Sequence, residues 1–311
     1  MQTVTDADPV LQDAMAPKSG SSAGSSSSPL TFDGTSFESG NLGDVKLISV
    51  NPLEYDLNIR PDTLNGRHRI WFYFSVRGAR AGQKVLFNIL GYSKTKSLFR
   101  DGMAPVVSTS RRPYWERIPP TSAYYYRSPR HDKQYVLSFP FCFDRANETY
   151  YFAFCFPYTY SYLQQVLFTL EQKALPYVRR ECLARSLQAR RLDLLTISSP
   201  ANLKLDAAFM AAGGYVGGYT GSAAPAAASA AAAAAAAARQ KHVILVTGRV
   251  HPGETPASFV MHGLLLFLTS EQPQARELRE AALLKVVPML NPDGVTSAAS
   301  LTPRLGASRD L

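Results

Sequence analysis

The chain has 311 residues, of which 46% are hydrophobic, so it is long enough and apolar enough to form two globular domains. Its 33 Lys and Arg residues outnumber its 24 Asp and Glu residues, and the formal net charge of +9 favours an acidic partner: nucleic acid, an anionic membrane surface or a polyacidic peptide. The three cysteines, Cys142, Cys155 and Cys182, are far apart, which argues against a disulfide framework and is typical of a reduced, cytoplasmic protein. No apolar run approaches the roughly 18–20 residues of a membrane span, and the N-terminus lacks the apolar core of a signal peptide.

The first half of the chain has the pattern of a β-sheet domain. Residues 1–35 are rich in Ser, Gly, Ala and Asp, and we expect them to be disordered because they hold too little apolar surface to offset ordering entropy. Over residues 36–160, short aromatic and β-branched runs alternate with turn residues, which predicts an antiparallel β-sandwich. Pro140 is expected at a sheet edge or a bulge. The predicted strands are Lys46–Val50, Ile70–Val76, Lys84–Leu90, Tyr135–Phe141 and Thr149–Phe156.

Residues 161–311 change to a pattern of alternating helices and strands. Such alternation predicts an α/β domain with a mostly parallel sheet. Residues 206–239 are rich in Ala and Gly without an amphipathic face, so we interpret them as a low-complexity surface insertion. The predicted elements are a helix over Ser161–Arg190, strands over Leu192–Ile197, Val243–Val250 and Leu283–Leu290, and a helix that begins at Pro256.

The loop after the Val243 strand carries the residues best suited to metal chemistry. In His251-Pro-Gly-Glu254, an imidazole and a carboxylate lie three positions apart on a tight turn. A catalytic zinc takes three protein ligands and keeps one position for water, so His251 and Glu254 could be two of the three. A solvated loop with an unrelated His and Glu explains the spacing equally well. The other histidines are weak candidates for a third ligand, and His262 is expected to be solvated.

Two further motifs leave alternatives open. Asn291-Pro-Asp-Gly294 could present the Asn291 side chain to a substrate, or it could be an ordinary turn, since turns use these residue types. The segments 111–117 and 124–130 interleave arginines with aromatic residues, which suits stacking on single-stranded nucleic acid. We favour instead a β-hairpin with amphipathic side chains at its rim, so nucleic acid is not expected as a partner.

Several short motifs follow one another along the chain. In the first half these are Phe37-Glu-Ser-Gly-Asn41, Tyr73-Phe-Ser-Val76 and Tyr150-Tyr-Phe-Ala-Phe154. In the second they are Tyr158-Thr-Tyr-Ser161, Leu194-Leu-Thr-Ile197, Arg249-Val-His-Pro-Gly-Glu-Thr255 and Val286-Val-Pro-Met-Leu-Asn-Pro-Asp-Gly-Val295. Together these motifs resemble the cytosolic carboxypeptidases, zinc enzymes that trim glutamates from tubulin tails. They occur in the family's order and cover about residues 36–200 and 240–295, which makes them more specific than the His-x-x-Glu pattern alone.

The resemblance implies an antiparallel β-sandwich followed by an α/β/α zinc-carboxypeptidase domain. It implies that His251 and Glu254 bind Zn²⁺, that a metal-bound water activated by a glutamate base cleaves the C-terminal peptide bond, and that Asn and Arg side chains hold the substrate carboxylate. The basic charge suits a polyglutamate substrate. Tubulin and other proteins with glutamate-rich C-termini are the expected partners, and association with microtubules or cilia would follow.

The sequence departs from the family after Val295. There the family carries the substrate-binding Asn and Arg, a His-x-His-Ser motif with the third zinc ligand, and the base glutamate; residues 296–311 contain none of these motifs. We therefore expect an incomplete, truncated α/β/α domain with two zinc ligands and no catalytic base, which binds zinc weakly and has no peptidase activity. The alternative is a non-catalytic protein whose β-sandwich docks tubulin or another acidic partner.

Overall fold

The computed structural model describes residues 30–61, 69–211 and 242–297. These residues fall into two compact units, which comprise residues 30–157 and 158–296. The predicted disorder over 1–29 and most of the predicted insertion, residues 212–239, lie outside the described residues. The domain limits 36–160 and 161–311 remain predictions.

The first unit consists of two five-stranded sheets that share one aromatic core. The strand orders are β1-β4-β10-β6-β7 and β2-β3-β5-β9-β8, and every pair of neighbours is antiparallel except β3 and β5. Rings from the two sheets meet in the core, where Phe87 lies 5.9 Å from Phe74 and 5.3 Å from Phe152. The strands are β1 (Thr31–Asp33), β2 (Val45–Val50), β3 (Leu53–Asn58), β4 (Tyr73–Arg77), β5 (Lys84–Leu90), β6 (Val106–Thr109), β7 (Glu116–Arg117), β8 (Tyr124–Arg127), β9 (Tyr135–Cys142) and β10 (Tyr150–Ala153).

The predicted antiparallel β-sandwich is confirmed, and all five predicted strands are present. Pro140 lies in the interior strand β9, but the pairing of β9 with β8 stops at Ser138. The proline therefore occupies a local edge, where no ladder hydrogen bond from its nitrogen is needed.

Two features of this unit differ from the sequence-based expectations. Residues 30–35 are ordered, because Leu30 is buried and the Phe32 ring packs 4.8 Å from Tyr55. Strand β3 was not predicted, although Leu53, Tyr55 and Leu57 alternate with polar residues as in a strand. The Glu54 and Asp56 carboxylates are buried and accept hydrogen bonds from the Asn88 amide, at 2.8 and 3.0 Å, so the polar face of the strand is satisfied inside the protein.

The second unit contains one four-stranded sheet with helices. The sheet order is β11-β12-β14-β13, and only β13 and β14 are parallel among these strands. None of the helices within the described ranges has the length and apolar character needed to cross a bilayer. The strands are β11 (Val178–Arg185), β12 (Arg191–Ile197), β13 (His242–Thr247) and β14 (Ala282–Val287). The helices are α1 (Tyr160–Gln172), α2 (Pro200–Ala211), α3 (Thr255–Leu268), α4 (Pro273–Ala281) and α5 (Pro292–Thr296).

Three expectations for this unit were wrong. The predicted helix over Ser161–Arg190 ends at Gln172, and Val178–Arg185 forms an antiparallel strand with β12. The described sheet is mostly antiparallel rather than mostly parallel. Residues 206–211, assigned to the surface insertion, complete helix α2, where Asp206 is buried and pairs with Arg179.

The aromatic core predicts a large loss of stability on truncation. Phe74 is fully buried and stacks on Phe152 at 5.4 Å, so Phe74→Ala should reduce the free energy of unfolding of the first unit by about 3–5 kcal/mol. Leu98→Ala is the control, because Leu98 is 62% exposed and should cost at most about 0.5 kcal/mol. Urea unfolding followed by tryptophan fluorescence reports this unit alone, since both tryptophans, Trp71 and Trp115, lie in it. Equal unfolding midpoints for the two variants would contradict this description of the core.

Candidate metal-binding loop

The His251-Pro-Gly-Glu254 loop lies at the carboxyl end of the parallel strand pair. Residues His242 to Thr247 of β13 pair with Ala282 to Val287 of β14, so both strands end at the same edge of the sheet. The pairing continues past the strands, because Gly248 N donates to Val287 O at 3.0 Å and Leu290 N donates to Gly248 O at 2.9 Å. Ligands of open α/β sheets bind at such carboxyl edges.

The structure brings the two predicted ligands together. His251 Nδ1 lies 3.1 Å from Glu254 Oε1, and Glu254 N donates to His251 O at 3.1 Å, which closes the turn between them. The His251 and Glu254 side chains are 43% and 64% exposed, so both are open to solvent. Helix α3 follows at Thr255, and the Glu254 carboxylate makes no capping hydrogen bond to it.

This pair fits two positions of a zinc site. Two ligand atoms at about 2.0–2.1 Å from one tetrahedral zinc lie roughly 3.3 Å apart, close to the separation observed here. A neutral imidazole nitrogen and a carboxylate oxygen are also donors that zinc prefers. Within residues 30–61, 69–211 and 242–297, no group of three or more His, Cys, Asp or Glu could hold a metal ion. Within these ranges the predicted ligands number two, and their role in binding zinc remains a prediction.

The other described histidines lie elsewhere. His242 is exposed at the opposite end of β13, and His131 belongs to the first unit, where its Nε2 lies 2.9 Å from Asp56 Oδ2. His262 is half-buried rather than solvated as predicted, because its ring packs 6.0 Å from Tyr158 and 6.1 Å from Tyr162. This burial lowers the pKa of His262 and favours its neutral form. His68 lies outside the described residues.

The Asn291-Pro-Asp-Gly294 motif holds the candidate loop from the side of β14. Asn291 is buried; its Nδ2 donates to Val250 O at 3.3 Å and its Oδ1 accepts from Gly294 N at 2.9 Å. A Cβ at Gly294 would collide with the ring of Pro252, so the glycine permits the close approach of the two loops. The substrate-binding role of Asn291 remains a prediction, since its amide supports the loop in this structure.

Asp293 extends the same support to the β11–β12 turn, and sequence reasoning did not single it out. Its carboxylate accepts hydrogen bonds from Ser186 Oγ at 2.7 Å, Gln188 N at 3.0 Å and Arg190 NH1 at 2.8 Å. Burial alone would raise the pKa of Asp293, but these hydrogen bonds outweigh it and hold the pKa below its ordinary value. The carboxylate is therefore charged and bound at neutral pH.

The Arg- and Tyr-rich segments do not form the expected single hairpin. Strands β7 and β8 belong to different sheets. Tyr125 is buried and donates to Lys94 O at 2.6 Å, and Trp115 packs 5.5 Å from Tyr73, so neither ring is a free stacking platform. Arg112 pairs with Asp144 at 2.8 Å. The hairpin prediction is therefore wrong, although these contacts give the aromatic rings structural roles within the fold.

Two family models match the chain. The cytosolic carboxypeptidase N-terminal domain matches residues 34–155, and the zinc carboxypeptidase domain matches residues 163–309. The chain belongs to the cytosolic carboxypeptidase family. The resemblance in the motifs is therefore confirmed. The second match includes most of the segment after Val295, although the chain has no histidine after His262 and no glutamate after Glu280.

Similar proteins agree with this assignment. Cytosolic carboxypeptidase 6 of Mus musculus is 50% identical over 266 residues, covering 86% of this chain and 43% of its own length. The protein of the same name from Homo sapiens is 49% identical and covered over 46% of its length, so the chain spans less than half of these relatives. A metallo-carboxypeptidase structure from Burkholderia cenocepacia has a TM-score of 0.60 at 22% identity, covering 88% of this chain and 58% of that one, and shares the fold.

The hydrogen bonds that the Asp293 carboxylate accepts from the β11–β12 turn predict a stability that depends on pH. Because the pKa of Asp293 is lowered in the folded protein, its contribution is present above its unfolded pKa, about 3.9, and is lost as the pH falls through the lower folded value. Asp293→Asn should therefore cost about 1–3 kcal/mol at pH 7 and progressively less below pH ~4, in urea unfolding.

Glu271→Gln is the matched control for this measurement. Glu271 also pairs with an arginine, Arg276, but both side chains are more than 60% exposed, so solvent screens the pair. Its loss should be smaller than that of Asp293→Asn at pH 7. If Asp293→Asn lowers the free energy of unfolding by the same amount from pH 7 to pH 3, the charge of the carboxylate plays no part in holding the β11–β12 turn.

Proposed function

We propose that this chain carries the first two zinc ligands of a metallocarboxypeptidase that removes C-terminal glutamates from acidic-tailed proteins, tubulin among them, in the cytoplasm. The observation that carries the proposal is the His251–Glu254 pair, whose donor atoms face each other at 3.1 Å in a loop matched by the zinc carboxypeptidase family. The relatives' name, cytosolic carboxypeptidase, supports both the reaction class and the compartment. Microtubule or cilium association would follow from a tubulin substrate.

The side chains of the loop suit this role. Zinc, when bound, polarises a carbonyl group and lowers the pKa of a bound water. His251 Nδ1 and Glu254 Oε1, which pair with each other at 3.1 Å, would hold the ion, and the Glu254 carboxylate does not cap helix α3. The net charge of +9 supports an acidic substrate, because it would attract a glutamate tail by long-range electrostatics.

The 311-residue chain is proposed to bind zinc weakly and to lack peptidase activity by itself. The described residues offer two zinc ligands, and residues 281–311 contain no histidine or glutamate that could supply a third imidazole or a glutamate base. These same observations favour a second candidate function, a non-catalytic protein that binds an acidic tail. Both candidates bind the tail. Under the first, glutamate release would require a third zinc ligand and a base from outside these 311 residues.

Zinc titration tests the ligand assignment. By calorimetry, the wild-type chain should show weak, saturable zinc binding that is lost in His251→Ala and in Glu254→Ala, because each change leaves a single ligand in the loop. His242→Ala is the control, since His242 is an exposed histidine at the far end of the same strand. Binding that survives His251→Ala or disappears in His242→Ala would overturn the assignment.

A polyglutamate peptide tests the activity, and microtubules test the acidic partner. With excess zinc, the 311-residue chain should release no free glutamate from the peptide, as measured by mass spectrometry. The chain should sediment with intact microtubules but not with microtubules whose acidic tails were removed. The tail-dependent sedimentation should weaken steeply with salt, since it rests on charge. Stoichiometric glutamate release with tightly held zinc would contradict the proposed inactivity, and sedimentation that ignores the tails would contradict the acidic partner.

A further inference from the structure

A buried arginine begins the metal-binding loop. Arg249 lies two residues before His251, is only 3% exposed, and has a φ of +55°. A non-glycine residue rarely adopts this left-handed conformation, which costs free energy and persists only where surrounding contacts fix it. The contacts at this position are therefore strong enough to impose the turn.

The Arg249 side chain joins three segments of the second unit. Its Nε donates to Pro252 O at 2.9 Å, inside the turn that separates His251 from Glu254. Its NH1 donates to Ser258 Oγ, on the first turns of α3, at 2.8 Å, and to Tyr158 O at 3.2 Å. The planar guanidinium can serve these acceptors at once, whereas a lysine ammonium lacks that fixed fork.

The backbone of the same residue is also held. Arg249 O accepts from Asn291 N at 3.2 Å, and Asn291 Nδ2 reaches Val250 O. The turn from 249 to 254 is thus fixed on one side by the motif after β14 and on the other by the guanidinium. The His251 and Glu254 side chains leave this fixed turn toward solvent.

We propose that Arg249 is a positioning residue for the His251 and Glu254 side chains. Its hydrogen bonds to Pro252, Ser258 and Tyr158 hold the turn in which these two side chains face each other before any metal binds. The part of this inference that concerns zinc affinity rests on the proposed function. A turn ordered in advance spares the metal the cost of ordering it. Residues that orient metal ligands without touching the metal commonly contribute 10–100-fold in affinity.

The chain offers a matched control for a buried arginine. Arg279 is 5% exposed, donates to Leu268 O at 2.6 Å and Ser270 O at 2.9 Å, and stacks 4.1 Å from the Tyr177 ring. It belongs to the same unit but makes these contacts at the end of α3, away from the loop at its start. Arg249→Met and Arg279→Met therefore remove comparable buried arginines, and only Arg249 donates a hydrogen bond to the turn between His251 and Glu254.

The test measures zinc affinity and loop protection in the 311-residue chain. Arg249→Met should weaken zinc binding about tenfold and speed amide hydrogen exchange of residues 250–255 in the metal-free protein. Arg249→Lys and Ser258→Ala should each give a several-fold weakening, because they keep part of the network. Arg279→Met should change zinc affinity by less than about twofold, whatever its effect on the thermal midpoint.

The outcomes separate this inference from the proposed function. If wild-type zinc binding depends on His251 but Arg249→Met weakens it no more than Arg279→Met does, Arg249 is only structural and the inference is overturned. If the wild-type chain binds no zinc through His251, the proposed function fails, and hydrogen exchange alone decides the inference. Unchanged exchange of residues 250–255 in Arg249→Met then overturns it, and selective acceleration there supports it. Should Arg249→Met not fold, Ser258→Ala carries the same comparison.

Discussion

The parallel pairing of β13 with β14 is the constraint on which the candidate site depends. It brings the carboxyl ends of two strands, separated in sequence by two helices, to one edge of the sheet. The hydrogen bonds through Gly248 extend that pairing into the loops, and a Cβ at Gly248 would lie 2.5 Å from Met261 Cγ. The glycine therefore permits α3 to pack against the strand end, which places the start of α3 beside His251 and Glu254.

Hydrogen bonds from buried polar side chains of the second unit fix the loop at this edge. Asn291 and Arg249 hold the turn by hydrogen bonds to its backbone carbonyls, and Asp293 fixes the β11–β12 turn to the same edge. All three side chains are buried, where unmade hydrogen bonds would be costly, so these contacts hold the loop in one arrangement. The exposed groups left at this edge include the two metal-ligand candidates.

Much of the fold could be predicted from local sequence. Strands such as Lys84–Leu90 and Tyr135–Cys142 are aromatic and β-branched, and His251-Pro-Gly-Glu254 follows an apolar strand. Several strands were missed, β3 and β11 among them. In β3, Leu53, Tyr55 and Leu57 alternate with polar residues, a strand pattern that was not used, whereas Val178–Arg185 carries charged residues that resemble a helix surface. Arg249 and Asp293 lie in the quoted motifs, but their roles could not be predicted. Their partners Tyr158 and Ser186 lie 91 and 107 residues away in sequence, and only the folded chain brings them together.

We propose that one metal ion binds between His251 and Glu254 in a loop that is already formed. Anomalous diffraction at the zinc edge, from crystals of this chain soaked in zinc, would locate the ion. We expect a peak at about 2.0–2.2 Å from His251 Nδ1 and from a Glu254 carboxylate oxygen, with the Arg249 hydrogen bonds unchanged. A peak at any other site without one in this loop, or a loop that rearranges to bind the ion, would contradict this proposal.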